Sequence, residues 1–448
     1  MKNVIGIRRE DLNKKGEKRV ALVPEAVAHF CSKDFRFLVQ PGIHPETQEN
    51  KRAFSDSQYM SENVSIQENL DEADLIFGLK EIQIDAIIPE KAYLFFSHTH
   101  KGQIKNRPML KKLVDQKATL IDYELITDDS NRRLITAFTY YAGYAGMTDS
   151  LWALGKKWHD EGILNPFSKI PQSIEKEDLD EIKSILSEVA DDIRNYGTPE
   201  SEPPVVVTIL GNGKTSAGSQ EMLDLLPFQE ITLDQLPSIY ETGNRRQVYK
   251  LVLTIPEMYR LIDPLSYPDL AGPDFSKMYL QHPERFESNL ENVFPYSTII
   301  MNCIIWSPSF PRLITRKDAA IWFEHSKTLQ VIGDITCDPE GAIEFSKETW
   351  IDDPIFTYFP QDNSSKMGIH SDGISVMAVT NLPCEFSADA SIQFCSDLGD
   401  VLEGLLSANF QSDLAINAGL PKAIERAVIL WKGDFTPKFK YMESYLPK

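Results

Sequence analysis

The sequence is poor in the residues that build disulfide frameworks and metal sites. Its five cysteines, Cys31, Cys303, Cys337, Cys384 and Cys395, are odd in number, scattered and never spaced C-x-x-C. That excludes a disulfide scaffold and a zinc ribbon, and it fits a reducing compartment. Long apolar runs are missing too. None reaches the roughly 18 residues a membrane span needs, and the start, MKNVIGIRRED, turns polar too soon for the apolar stretch of a signal peptide. No membrane partner and a cytoplasmic location are expected. Positive charge is in deficit, with 46 Lys and Arg against 66 Asp and Glu. The net charge of -20 repels phosphate backbones and argues against a nucleic-acid partner. Any anionic ligand must meet a local cluster of Arg and Lys.

What is there is a globular composition, 42% hydrophobic and 25% charged, over 448 residues. That length exceeds the ceiling for one hydrophobic core, so two domains are expected. In the first 140 residues, NVIGI and FRFLVQP flank a helical stretch near PEAVAHFCSK, and DLIFGLK, AYLFFSH and ATLIDYE are further short apolar runs. Strands separated by helices predict a doubly wound parallel sheet. Gly143 and Gly146 are read as close backbone contacts before a helix from about Met147. Residues 173–197 predict a helix with Leu179, Ile182, Leu186, Val189 and Ile193 on one face and Gly197 at its end, its charged face being solvated surface. The tail reads as mostly helical and packs back on earlier parts. The expected architecture is α/β, with two doubly wound, Rossmann-like domains and a cleft between them. Residues 1–140 plus 390–448 form a substrate domain, and 141–389 a dinucleotide-binding domain with a helical insertion at 166–203.

After the break TPESEPP, the segment VVVTILGNGKTSAG runs from an apolar strand into Gly211-Asn212-Gly213 and then, from Lys214, a helix. Backbone N–H groups at a helix start bind a pyrophosphate. Ser216 occupies the usual third glycine position, with Gly218 two residues later; a ligand-free tight turn is the rival reading. Asp234, about 20 residues on, suits a ribose hydroxyl and hence NAD, whereas Arg245 and Arg246 suit a 2'-phosphate and hence NADP. All three are also readable as loop charge.

The stretch AYLFFSHTHKGQ raises the question of its two histidines. An H-x-H pair on an extended segment suits a metal, but no third ligand is evident, so no metal is expected. At a strand end, His98 and Lys101 emerge at the sheet rim, where cleft residues of open α/β folds collect, and Lys80 ends DLIFGLK in the same way. From spacing alone, polar residues at a surface turn are the better explanation.

Taken in order, GIRREDLNKKGEKRVALVPEAV, LIFGLKE, FFSHTHKGQ, LIDYE, AFTYYAGYAG, GNGKTSAG, ETGNRRQVY and GDITCDPEGAIEF resemble lysine-ketoglutarate reductases, the L-lysine-forming saccharopine dehydrogenases. The likeness is to the reductase half of the bifunctional lysine-degrading enzyme, a group related in fold to alanine dehydrogenase and the transhydrogenase N-terminal domains. It implies condensation of L-lysine with 2-oxoglutarate and reduction of the imine to saccharopine, with NADP favoured and NAD possible. A separate saccharopine-oxidising chain is the partner it suggests. The family's G-[LV]-K lysine falls on Lys80 and its F-[SA]-H histidine on His98, the acid/base pair, while His100 is incidental. Arg19 matches a family arginine for substrate carboxylates. A second such arginine is displaced: its slot is Leu134, with Arg132 and Arg133 beside it, and on a strand a one-residue slip reverses the face. Asn302 and Asp334 are cofactor-side candidates at strand ends. Two rivals remain: a same-fold enzyme using another amino acid such as alanine, and a non-catalytic dinucleotide-binding regulator.

Overall fold

The computed structural model describes residues 2–446 apart from 177 and 268. The chain forms two compact units: unit 1 is Met1–Phe138 with Ser387–Lys448, and unit 2 is Thr139–Phe386.

Six short strands open unit 1: β1 (Val4–Ile7), β2 (Arg36–Val39), β3 (Val64–Ile66), β4 (Leu75–Phe77), β5 (Ala92–Phe95) and β6 (Thr119–Asp122). They pair in parallel in the order β3-β2-β1-β4-β5-β6. Strands β4, β5 and β6 are buried at every position, as expected for a parallel sheet covered on both faces. The chain lays β2 and β3 on one side of β1 and then returns to place β4 on the other. The carboxyl ends of β1 and β4 therefore flank a topological switch point, where ligands of open α/β sheets bind.

Unit 2 repeats the plan. Its parallel strands are β7 (Val206–Leu210), β8 (Phe228–Glu230) and β9 (Val248–Leu253). The small antiparallel pair β10 (Tyr259–Leu261) and β11 (Phe286–Ser288) stands apart. Strands β12 (Ile299–Asn302) and β13 (Val331–Asp334) follow, then β14 (Ile355–Phe359), β15 (Ser364–Met367) and β16 (Ile374–Met377). The sheet order is β15-β14-β16-β13-β12-β7-β9-β8, antiparallel only at β14 and β15. Two parallel-dominated sheets of eight strands thus bear out the expected doubly wound class.

The tail differs from its helical reading. After the helix Ser387–Leu406, AVILW forms β17 (Val428–Trp431), which pairs antiparallel with β6 and turns into β18 (Asp434–Phe435). All four β17 residues are buried, so burial against both faces overrides the helical pattern.

A second difference lies at the helix Ala137–Asp160, which begins ten residues before Met147. Asp397 accepts hydrogen bonds from Thr136 N and Ala137 N and closes its start. Gly143 and Gly146 are inside this helix. A Cβ on Gly143 would lie 2.2 Å from the Thr215 carbonyl oxygen, and one on Gly146 would lie 2.6 Å from Ile335 Cδ1. The glycines allow close crossing rather than breaking the helix. The helix expected at 173–197 spans Leu179–Tyr196, with Asp178 as its cap accepting from Glu181 N.

Candidate functional site

In unit 1 the loops after β4 and β5 are tied together. Leu79 O accepts from Phe96 N at 2.9 Å, and Leu94 O accepts from Gly78 N at 3.1 Å. Lys80 and His98 each follow their strand by three residues on these neighbouring loops. The Lys80 backbone is fixed by Glu10, from the loop after β1, whose carboxylate accepts from Leu79 N (2.8 Å) and Lys80 N (2.9 Å). Burial holds the Glu10 carboxyl above its ordinary value despite the charge of Arg8. Among the described residues, no carboxylate lies within ion-pairing distance of the Lys80 ammonium.

His98 sits in the left-handed region at φ 51°, with its ring stacked on Phe96. Its Nδ1 is 2.7 Å from Glu81 Oε1, and Glu81 Oε2 accepts from Lys14 Nζ at 2.6 Å. Burial works to raise the Glu81 carboxyl, but the His98 and Lys14 hydrogen bonds outweigh it and hold the group well below the usual carboxylate range. Sequence reasoning missed Glu81 and Glu10. Their signal is nonetheless present: each lies within a few residues of a strand end at the switch point.

His100, read as incidental, has defined neighbours. Its Nε2 lies 3.5 Å from Glu124 and its Nδ1 3.9 Å from Asp122, while burial pushes the imidazole below its ordinary value. Lys101 Nζ and an Arg133 Nη both reach Glu124 at 2.8 Å. Burial opposes ionisation of Glu124, but the two cations and His100 hold its carboxyl below the ordinary value. Arg133 and Lys101 are thus brought together. Leu134, by contrast, packs on the core, whereas Arg133 is exposed and held by Glu124. Arg19 is fully enclosed: Glu17 binds it through Nε (2.8 Å) and Nη2 (2.6 Å), and its guanidinium lies 4.1 Å from the Phe138 ring centroid. Phe138 stacks on Phe394, which also packs with Phe96 and Tyr123, so Arg19 and His98 border one aromatic cluster. Among the described residues, no group of three or more His, Cys, Asp or Glu is arranged to hold a metal.

In unit 2, β7 ends at Leu210 and Gly211 turns at φ 96°, a conformation that favours glycine. Gly213 precedes the helix Lys214–Leu223 and lacks a side-chain cap, so its first N–H groups can serve an anion. A Cβ on Gly213 would meet nothing within 4 Å, leaving room for close approach, and Lys214 is exposed at the first helical position. These residues fit a dinucleotide pyrophosphate. Gly218 serves packing instead, since its Cβ would lie 2.3 Å from the Tyr140 carbonyl oxygen and its absence lets two helices cross. Asn302 and Asp334 end β12 and β13, in register with each other and with Leu210. Asn302 Nδ2 donates to Asp334 Oδ1 at 2.8 Å, and Ser346 donates to the other oxygen. Complete burial pushes the Asp334 carboxyl up to about 6.

Three readings are corrected here. The strand beside β7 is β9, not β8, so Asp234 follows an edge strand two positions, roughly 10 Å, from the glycine strand. It also accepts from Thr232 Oγ1 at 2.6 Å. The carboxylate at the end of the adjacent strand is Glu257, in a capping box with Thr254 (2.7 and 2.8 Å), next to the 2.8 Å hydrogen bond from Gly211 N to Leu253 O. Its T-x-x-E spacing is the signal that could have found it. Arg245 and Arg246 precede β9 and thus lie at the amino edge, the length of a strand or roughly 17 Å from the glycine turn. Arg245 holds the Pro199 and Glu202 carbonyls, and Arg246 is exposed.

Residues 6–145 match the family described as alanine dehydrogenase/PNT, N-terminal domain. Over 98% of this chain and 41% of the relative, the sequence is 34% identical to alpha-aminoadipic semialdehyde synthase of Arabidopsis thaliana, so the chain spans less than half of that relative's length. It is 26% identical to saccharopine dehydrogenase [NAD(+), L-lysine-forming] of Candida glabrata, over 48% of this chain and 55% of that one. In fold it is similar to an L-alanine dehydrogenase, with a TM-score of 0.62 and 16% identity, covering 99% of this chain and 100% of that one. The resemblance read from the motifs is borne out. No helix among the described residues is long and apolar enough to cross a membrane.

Proposed function

We propose, from the premise that residues 6–145 are an alanine dehydrogenase/PNT N-terminal domain and that nearly the whole chain is related to alpha-aminoadipic semialdehyde synthase, that this protein is an amino-acid oxidoreductase joining L-lysine and 2-oxoglutarate to saccharopine. The observation that carries the reading is the pairing of Lys80, free of any carboxylate among the described residues, with His98 on Glu81 at the ends of adjacent strands. Lys80 takes a proton from the lysine ε-ammonium so that its nitrogen can attack the oxo carbon. His98, with Nδ1 on Glu81, presents Nε2 to give a proton to the oxygen leaving as water. When bound, the reduced nicotinamide supplies the hydride for the resulting imine. Gly211, Gly213 and Lys214 hold its pyrophosphate, and Asn302 and Asp334 line the strand ends beside it. Substrate carboxylates go to Arg19, Lys101 and Arg133, each of which must exchange a glutamate partner for a substrate oxygen.

For the coenzyme, Glu257 supports NAD, and the amino-edge position of Arg245 and Arg246 removes their support for NADP. The printed name of the Candida glabrata relative also carries NAD(+). The cytoplasm is the proposed compartment, in keeping with five unpaired cysteines. One observation favours a second reading with another amino acid: Arg133 is displaced from the family slot and held by Glu124.

The test is consumption of NADH and NADPH with 2-oxoglutarate and a panel of amines. Signal with L-lysine alone among the amines is expected, with NADH preferred. Lys80→Met and His98→Gln are each expected to lower kcat by about 100-fold or more. Unchanged rates in these variants would overturn the mechanism, and activity only with another amine would support the second reading.

A further inference from the structure

Glu124, in the turn after β6, serves two cations and faces a third ionisable group. Its Oε1 accepts from Arg133 at 2.8 Å. Its Oε2 takes Lys101 Nζ at 2.8 Å and also faces His100 Nε2 at 3.5 Å. The Lys101 and Arg133 side chains are 40% and 59% exposed, whereas those of Glu124 and His100 are only 9% and 16% exposed. The cations are therefore free to swing to a ligand, and the carboxylate they leave stays where an unpaired charge is costly.

His100 is placed to meet that cost. Its Nδ1 lies 3.9 Å from Asp122 Oδ2 and, among the described residues, has no hydrogen-bond partner. Asp122 is committed elsewhere: Oδ2 accepts from Ser97 N at 2.9 Å and Ser97 Oγ at 2.5 Å, and Oδ1 accepts from Glu124 N at 2.8 Å. Tyr441 OH reaches the His100 backbone carbonyl, at 3.4 Å. Burial holds the imidazole below its ordinary value; Lys101 and His98 push the same way, while Asp122 and Glu124 pull it up. Departure of Lys101 removes a depressing charge and bares Glu124, so the balance moves toward the protonated ring.

We propose that His100 is a positioning residue that takes up a proton as Lys101 and Arg133 pass from Glu124 to a substrate carboxylate, its Nε2–H closing on the oxygen that Lys101 has left. The proton comes from solvent and returns there when the product leaves and the cations rebind Glu124. The incoming carboxylate and the incoming proton balance, so the local charge is unchanged. This inference rests on the assignment of Lys101 and Arg133 to substrate carboxylates made above.

The experiment is isothermal titration of 2-oxoglutarate into the NADH-saturated full chain at neutral pH, in phosphate, HEPES and Tris, whose ionisation heats differ. Net uptake of up to about one proton per ligand is expected, with affinity falling as pH rises by at most about tenfold per unit. His100→Gln keeps a polar side chain that cannot take the proton, and should lose the uptake and flatten the pH dependence. Glu124→Gln removes the charge that the proton answers, and should lose the uptake while binding the ligand at least as tightly as wild type. Equal heats in all buffers for the wild type, or uptake retained in His100→Gln, would overturn this inference alone. Absence of binding in the wild type, or binding unaffected by both Lys101→Met and Arg133→Met, would overturn the carboxylate assignment and this inference with it.

Discussion

Glu81 decides what His98 can do. A carboxylate 2.7 Å from Nδ1 keeps a proton on that nitrogen and leaves Nε2 as the exchanging atom. Its carboxyl is held below the ordinary value of 4.5, so the ionised form stabilises the fold above that pH, and the stabilisation is lost as pH falls through the lower folded value. Thermal melts from pH 7 to pH 3 are therefore expected to separate wild type from Glu81→Gln by about 2 kcal/mol at neutral pH, with the gap narrowing below pH 4.5. A constant gap would mean that the carboxylate charge is not what matters. Asp334 runs the other way. Its carboxyl is raised from 3.8 to about 6 by burial, so its contribution is fully present below 3.8 and declines as pH rises through 6. Asp334→Asn is expected to match wild type near pH 4 and to be the more stable protein at pH 8, by roughly 3 kcal/mol at most. A variant less stable at pH 8 than at pH 4, relative to wild type, would sink this account.

At the level of elements, the two glycines of GNGKTSAG separate binding from packing. Gly213→Ala meets no atom within 4 Å at a φ of -82°, so the melting temperature should hold while coenzyme affinity falls as the added methyl approaches the pyrophosphate. Gly218→Ala drives a Cβ to 2.3 Å from the Tyr140 carbonyl and should cost about 1–3 kcal/mol of stability. Equal melting losses in both variants would contradict this division. The strand, turn and helix of this motif were legible because an apolar run, glycines and a helical pattern are local signals. The neighbour of β7 was not, because the spatial order of β8 and β9 depends on pairing rather than composition. That order puts Glu257, not Asp234, after the strand adjacent to β7. The strand-end positions of Lys80 and His98 were legible locally, whereas their acid/base assignment came from the family resemblance. Glu81, Glu10 and the Glu124 grip on Lys101 and Arg133 were not, because they arise from loops brought together by the sheet.

For the whole molecule, the consequential fact is that unit 1 is discontinuous and unit 2 is not. One core cluster of unit 1 mixes Ile5, Phe37, Leu75 and Leu94 with Phe394, Leu398, Leu402 and Trp431, and the other joins Tyr93 and Leu113 to Ile429 and Met442. Both faces of the first sheet therefore need the C-terminal return, and β17 covers the otherwise open edge of β6. Unit 2 closes its own core between residues 206 and 378. A chain ending at residue 386 removes at least a dozen buried apolar side chains from unit 1, each worth about 1.5–3 kcal/mol, which far exceeds the stability of a domain. It removes none from the unit 2 core. Limited proteolysis of the 1–386 chain should leave a resistant fragment close to 139–386 that still binds a nicotinamide dinucleotide, while 1–138 is degraded. Supplying 387–448 as a separate polypeptide should restore resistance to the N-terminal part. Survival of 1–138 on its own would mean that the return is an accessory layer rather than part of the fold that carries Lys80 and His98.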